Sequence, residues 1–383
     1  MEVKVPEPAW DQWFSEVKVG RAGPYQVVRG RWRGDPGADL PNAVTDWADR
    51  VHLDPRGEGA DEGANVLALR RLTPVEPDRY LFHSLLFALA FLSATVAGGF
   101  LLGVDALTTK FADIGGTWMP VPTRLSTSML SVGLPFSIGF VGILLGHELG
   151  HYFAARYHKI PVSLPYFIPF PPYFSIVGTL GAFIRLRGPM VNRSVLFDIG
   201  VAGPFVSFIL SIPVLLAGFR MSEVVPSPGS GTYPFLIEFL GEPMRVGTSP
   251  LIQFLAVQSV PGFDASVALL LHPLAFAGWL GVFVTALNLL PLGQLDGGHV
   301  LYAILGPLQR WFGWGFVVLM VPLGFSWWGW WLWGGIAVAV SRGRVAHPPV
   351  LMDHAPVGWK RKVLGWLAIL IFLVSFSPAP LSF

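Results

Sequence analysis

Stretches free of Asp, Glu, Lys and Arg divide this chain into long apolar blocks. They run Tyr80–Val104, Leu125–His147, Ile199–Met221 (broken only by Arg220), Ala265–Leu295, Trp311–Ser341 and Val363–Phe383. Each reaches the ~20 residues that a helix needs to cross ~30 Å of hydrocarbon. The Trp311–Ser341 block has 31 residues. As one helix it would extend about 46 Å, well beyond the bilayer core. Two short helices meeting near Gly324–Trp328 fit better.

Positive charge orients these blocks. Basic residues gather at Arg70, Arg71 and Arg79, again from Arg156 to Arg193, and again at Arg342, Arg344, Lys360, Arg361 and Lys362. The connections 105–124 and 220–264 are poor in Lys and Arg. The positive-inside rule puts the three basic clusters in the cytoplasm. That works only if the 311–341 block crosses twice. The expected fold is therefore a polytopic α-helical membrane protein with about seven transmembrane helices, six being the alternative count. The spans are about 81–103, 128–155, 197–219, 266–292, 311–325, 327–341 and 363–380, with the N-terminus inside.

Between the second and third spans the pattern changes. Residues 160–174 (IPVSLPYFIPFPPYF) are apolar but too rich in proline for a helix. Residues 175–187 (SIVGTLGAFIRLR) place β-branched and aromatic residues between glycines, as in a short strand or hairpin. Non-helical backbone sits at membrane depth only when buried in protein or lining a wet cavity. Residues 160–187 are thus read as a re-entrant β-hairpin or loop.

The first 79 residues differ from the rest. Residues 1–80 hold 11 Lys+Arg and 14 Asp+Glu, half of all the charges in the chain. They read as a small, partly ordered cytoplasmic region with a flexible loop at Asp54–Gly63. The transmembrane domain takes 80–383. The first ten residues, MEVKVPEPAW, have the pattern of neither a signal nor a transit peptide.

Composition narrows the chemistry. The 383 residues are 52% hydrophobic and 13% charged, against roughly 25% charged in a soluble domain. A net charge of +2 gives no reason to expect nucleic acid as a partner. There is no cysteine. That removes disulfides, thiolate zinc sites, iron–sulfur clusters and cysteine nucleophiles together.

Two segments carry candidate chemistry. His147-Glu148-Leu149-Gly150-His151 stands near the inner end of the second span. Positions i and i+4 share a helix face, so both imidazoles can hold one metal ion. Glu148 lies beside them, placed to take a proton from water at that ion. A bland alternative, a polar cluster capping the helix dipole, leaves a carboxylate flanked by two histidines inside a span unexplained. Two histidines leave a tetrahedral ion short of a ligand. The segment from Asn288 to Gly298 (NLLPLGQLDGG) supplies a carboxylate, Asp296, at the end of the fourth span. Pro291 and the glycines should loosen the helix there and let Asp296 turn toward the metal. By itself Asp296 would pass for an ordinary Asp-Gly turn.

The paired motifs, HExxH and NxxPxxxLDGG, resemble those of the site-2 protease family of intramembrane zinc metalloproteases. Gly200-Val-Ala-Gly-Pro204 is similar to that family's G-x-A-G-P element. The proline-rich loop and GTLGAF resemble the subgroup with a membrane re-entrant β-loop and no PDZ insertion. The likeness covers roughly residues 80–380. It implies one Zn2+ per chain bound by His147, His151 and Asp296, with Glu148 as general base and acid. It implies that Asn288 holds the substrate backbone or the developing oxyanion. An edge strand at Gly178, Thr179, Leu180 and Gly181 would bind an unwound substrate segment by strand addition. Implied partners are the lipid bilayer and single-pass membrane proteins, such as an anti-sigma factor or a membrane-tethered transcription factor. Implied location is a bacterial inner membrane, with N-terminus and active site facing the cytoplasm.

Two other readings compete. A metal transporter needs acidic or histidine ligands along a path, and only one cluster is evident. A non-catalytic receptor of the same fold need not keep base and ligands together. Among the other polar residues, His299 is a candidate partner behind the site. Asp198 reads as a helix N-terminal carboxylate. His158 and His83 read as interfacial, and His272 as lying toward the opposite surface.

Overall fold

The computed structural model describes residues 7–34, 39–54, 64–104, 107–125, 127–227, 234–239, 241–264, 266–293, 295–340, 343, 345–354 and 356–382. The expected loop at 54–63 lies outside these residues beyond Asp54, as do Arg342 and Arg344 of the third basic cluster.

The described residues of the N-terminal region form a sheet. Helix α1 (Trp10–Trp13), strands β1 (Phe14–Ala22) and β2 (Tyr25–Trp32), helix α2 (Asn42–Trp47), and strands β3 (Arg50–Asp54) and β4 (Asn65–Arg71) follow in order. The sheet is antiparallel with strand order β1-β2-β4-β3. Its strands alternate sides as period-2 geometry requires. Val28, Val66 and Ala68 face a core with Trp10, Phe14, Trp32 and Trp47. Tyr25, Val27, Leu67 and Leu69 face the other way and pack with Val191 of the membrane body. Burial on both faces explains why Val66–Leu69 reads as an unbroken apolar run.

Four helices among the described residues are long and apolar enough to cross a membrane: Tyr80–Phe100, Leu130–Tyr157, Arg193–Phe219 and the composite Asp296–Ser326. They correspond to α3 (Tyr80–Phe100), α4 (Thr127–Tyr157), α5 (Arg193–Phe219), and α8 (Asp296–Leu305) running into α9 (Gln309–Ser326). A hairpin of β5 (Leu107–Ile114) and β6 (Thr117–Leu125) joins α3 to α4. Helix α7 (Pro273–Asn288) is apolar but shorter. So are α10 (Gly329–Val340) and α11 (Trp359–Ser375).

The helix lengths correct the expected spans in two places. Residues 267–270 form a strand, not the start of a helix. His272-Pro273 sets that boundary: proline at the first helical position has no N–H to lose, and His272 Nδ1 accepts from Leu274 N–H at 3.2 Å. The 311–341 block does break, at Trp327–Trp328, but α10 has only 12 residues and rises about 18 Å. That is less than the ~30 Å core.

Helix α5 lies at the centre, against α4, α7 and α8. On the side away from the N-terminal sheet, β9 (Glu223–Pro226), β10 (Phe235–Phe239), β11 (Glu242–Val246), α6 (Pro250–Ser259), β12 (Val267–Leu270) and β13 (Leu381–Ser382) gather. The strands form one sheet in the order β13-β11-β10-β12-β9. Buried Trp279 ties α7 to it by donating to the Gly247 carbonyl at 2.8 Å.

Residues 160–187 contain the expected hairpin. Strands β7 (Tyr166–Pro169) and β8 (Thr179–Phe183) pair antiparallel, with Tyr166 opposite Phe183 and Phe167 opposite Ala182. The hairpin lies on α3. His83, expected at an interface, is buried there with Nδ1 at 3.1 Å from the Pro165 carbonyl.

Candidate metal and catalytic site

Helix α4 carries both motif histidines on one face, as the i, i+4 spacing dictates. His147 Nε2 and His151 Nε2 are 3.0 Å apart. Helix α7 stops at Asn288, and Asp296 begins the first turn of the next helix, α8. Its Oδ2 lies 3.3 Å from His147 Nε2 and 3.2 Å from His151 Nε2. Donors on a tetrahedral ion with bonds of about 2.0–2.1 Å stand about 3.3 Å apart. The three side chains therefore fit one metal ion, each offering one ligand atom. An N2O donor set of this kind suits zinc.

The ring nitrogens turned away from this point decide the tautomers. His151 Nδ1 is 2.7 Å from the Ile199 carbonyl, which can only accept, so Nδ1 carries the proton. The Nε2 lone pair of the neutral ring then faces the cluster. His147 Nδ1 is 3.2 Å from Ser207 Oγ. Ser207 Oγ is 2.8 Å from Thr285 Oγ1, and Thr285 donates to the Gly281 carbonyl at 2.7 Å. With His147 Nε2 turned to the cluster, Nδ1 donates to Ser207, whose own proton goes to Thr285 Oγ1 or to the Pro204 carbonyl at 3.1 Å. Such outer partners fix ring orientation at metal sites. Two lone pairs and a carboxylate held about 3 Å apart repel, and a cation between them relieves that repulsion.

Close packing of α4 on α5 makes this possible. A Cβ on Gly203 would lie 2.2 Å from His151 Nε2, and one on Gly150 would lie 2.7 Å from the Ala202 carbonyl oxygen. Only glycine at these two positions lets the helices approach so closely. Glu148 is buried on the same turn of α4. Helix α4 packs there against β8.

The remaining expected site residues divide. Asn288 sits at the site, with Nδ2 3.3 Å from His147 Nε2. Leu180 is 62% exposed, and Gly181 has open space where a side chain would be. Thr179 is instead buried, donating to the Ile168 carbonyl at 2.8 Å. Gly178 lies against α3, where a Cβ would be 2.5 Å from the Ser93 carbonyl oxygen. Those two hold the hairpin in place and leave Leu180 and Gly181 facing outward.

Ser207 and Thr285 were not among the residues expected from sequence. Their signal was faint: small hydroxyls on otherwise apolar helices, where packing is the usual explanation. Asp198 also does more than favour a helix dipole. It accepts from Arg361 through both oxygens at 2.7 Å and lies 2.9 Å from His158 Nε2, joining α5, α11 and the end of α4. His299 is half-buried at the start of α8, and its Nδ1 is buried with no hydrogen-bond partner among the described residues.

Comparison with known proteins agrees with this geometry. The sequence model of Peptidase family M50 matches residues 135–313, which includes both motifs. The chain is 29% identical over 345 residues to a protein of Arabidopsis thaliana named "Probable zinc metalloprotease EGY1, chloroplastic". That match covers 85% of this chain and 59% of the relative. The rice protein of the same name (Oryza sativa subsp. japonica) is 30% identical, covering 86% of this chain and 56% of the relative. The chain thus spans somewhat more than half the length of these relatives. No solved structure matches. Residues 135–313 thus carry a domain of Peptidase family M50, the site-2 protease family, whose members are intramembrane proteins.

Proposed function

We propose that this chain is a zinc metalloprotease that cuts a peptide bond within or beside a transmembrane segment of a membrane-anchored substrate. The observation that carries the reading is the convergence of His147, His151 and Asp296 around one point, with Glu148 beside them. When bound, the zinc ion supplies Lewis-acid polarisation of the scissile carbonyl and a more acidic water. Glu148 accepts the proton of the attacking water and returns it to the leaving amide nitrogen. The Asn288 amide is placed to donate to the substrate backbone or to the developing oxyanion.

A substrate helix hides its carbonyls in i→i−4 hydrogen bonds and must unwind before attack. The outward side of β8, at Leu180 and Gly181, offers an edge to receive the unwound segment. In the finer topology proposed, α3, α4, α5, α7, α9, α10 and α11 all enter the membrane. The 160–187 hairpin dips in, and the N-terminus and active site face the side of the basic clusters. Suitable substrates are single-pass proteins, such as an anti-sigma factor or a membrane-tethered transcription factor. The relatives are named as chloroplastic, which lends no support to a bacterial inner membrane. The location proposed is therefore an integral membrane, with no compartment assigned. The transporter reading loses ground, because the described residues contain one metal-ligating group rather than a path of them.

The test uses purified protein in proteoliposomes with a single-pass substrate. The unaltered chain should bind about one zinc per molecule and release two fragments. Glu148→Gln should keep the zinc and lose cleavage by at least about a hundredfold. Cleavage that survives Glu148→Gln, or a chain that binds no zinc, overturns the reading.

A further inference from the structure

A second cavity lies away from the metal cluster, between the N-terminal sheet and the 160–187 hairpin. Its volume is about 830 Å³, within the range of ligand pockets. The turn Ala22–Pro24, the linker Arg71–Glu76 and the segment Arg185–Pro189 form its walls. Three arginines line it, Arg71, Arg185 and Arg187, with one acidic residue, Glu76, while Asp78 pairs with Arg187 from outside the lining. Two of the arginines are braced. Arg71 donates to the Tyr25 hydroxyl at 2.6 Å and 3.1 Å. Arg187 donates to Asp78 at 2.6 Å and to the Glu76 carbonyl at 2.8 Å. The Arg185 guanidinium has no partner among the described residues, and Arg185 is exposed.

The cavity begins just past β8, the edge proposed to receive substrate. Helix α4, which carries Glu148, packs against β8. The chain stays extended beyond Phe183: Leu186 bridges to Val162, and Arg187 N–H donates to the Pro161 carbonyl at 2.7 Å. At about 3.3 Å per residue, Arg185 to Arg187 lie within about 13 Å of the end of β8. A peptide paired along β8 and leaving past its end would reach this cavity two to four residues further on.

We propose that this cavity binds acidic side chains of the substrate, two to four residues beyond the segment paired with β8, on the side of the basic clusters. The inference rests on the proteolytic reading above and adds a selection rule to it. Arginine suits the task because its planar fork meets a carboxylate through two parallel hydrogen bonds. Tyr25 and Asp78 hold two of the forks in place before substrate arrives, which lowers the cost of ordering them. The unpartnered Arg185 is the group whose charge changes least in environment until an acid reaches it. A peptide is favoured over a lipid headgroup because the N-terminal sheet and the linker wall the cavity with protein.

The experiment compares three single-pass substrates that differ only at those positions, carrying Glu, Ala or Lys. Each is cleaved by the parent chain and by Arg185→Glu, in vesicles of pure phosphatidylcholine and in vesicles with added phosphatidylglycerol. The parent should cleave the Glu substrate about tenfold faster than the Lys substrate at limiting concentration. Arg185→Glu should reverse that order, read as the ratio of Glu-substrate to Lys-substrate rates within each protein. Equal rates for all three substrates in both proteins overturn the proposal. So does a response to Arg185→Glu that follows the lipid charge and ignores the substrate charge, which would mark a headgroup site. Failure of the parent to cleave any substrate in either lipid overturns the proteolytic reading, and this one with it.

Discussion

At the scale of single residues, His147 depends on a hydroxyl behind it. Ser207 is buried and accepts from His147 Nδ1. Without it the ring loses its acceptor, and an unpaired buried donor costs about 1–3 kcal/mol. Ser207→Ala should therefore weaken zinc affinity by about tenfold or more. Thr285→Val should cost less, because the Ser207 proton can go to the Pro204 carbonyl at 3.1 Å instead. Competition against a zinc-buffering chelator measures both, and an affinity unchanged by Ser207→Ala removes the tether from the argument. The histidine pair was legible in sequence because i, i+4 spacing is a local rule. The tether was not, because it joins α4, α5 and α7 through residues that look like helix-packing serines and threonines. His83 and Asp198 were misread for a related reason: their partners, Pro165, His158 and Arg361, are contacts that only the folded chain defines.

Elements carry the substrate path, and β8 is where it can be tested. Thr179 and Ala182 pair with β7, so proline at either would damage the hairpin itself. Leu180 is the discriminating position, because it is exposed and lies where the β7–β8 register is interrupted. Leu180→Pro should lower cleavage of a helical single-pass substrate by about tenfold or more and leave zinc content unchanged. Full cleavage by that variant would exclude strand addition at this edge. Sequence patterning located the hairpin, since proline and glycine punctuate it. It misjudged residues 266–272, because an apolar strand feeding an apolar helix leaves no break in hydropathy. Only His272-Pro273 marked the junction.

On the scale of the whole molecule, residues 345–354 form a strap between the membrane body and the N-terminal sheet, across the face proposed as the inner one. Val345 accepts from Gly293 N–H at 3.0 Å, beside the turn that delivers Asp296. His347 N–H donates to Gln309 at 3.0 Å. Met352 N–H donates to the Val191 carbonyl at 2.7 Å, and Leu351 and Met352 pack with Tyr25 and Leu69 of the N-terminal sheet. Asp353 pins the strap, accepting from Arg193 at 2.9 Å and 3.2 Å and from the Tyr302 hydroxyl at 3.0 Å. Burial works to raise the Asp353 pKa, but the hydrogen bonds from Arg193 and Tyr302 prevail and hold it below the ordinary carboxylate value. A depressed carboxylate contributes stability that is complete above its unfolded pKa, about 3.9, and is lost as pH falls through the lower folded value. The inner face should therefore loosen below about pH 4, and Asp353→Asn should lose this contribution at neutral pH and flatten the acid dependence. Protease protection of the N-terminal sheet, followed from pH 7 to pH 3, measures both. Equal protection of the parent and Asp353→Asn across that range would mean that the apolar contacts around Tyr25 and Met352 hold the strap unaided.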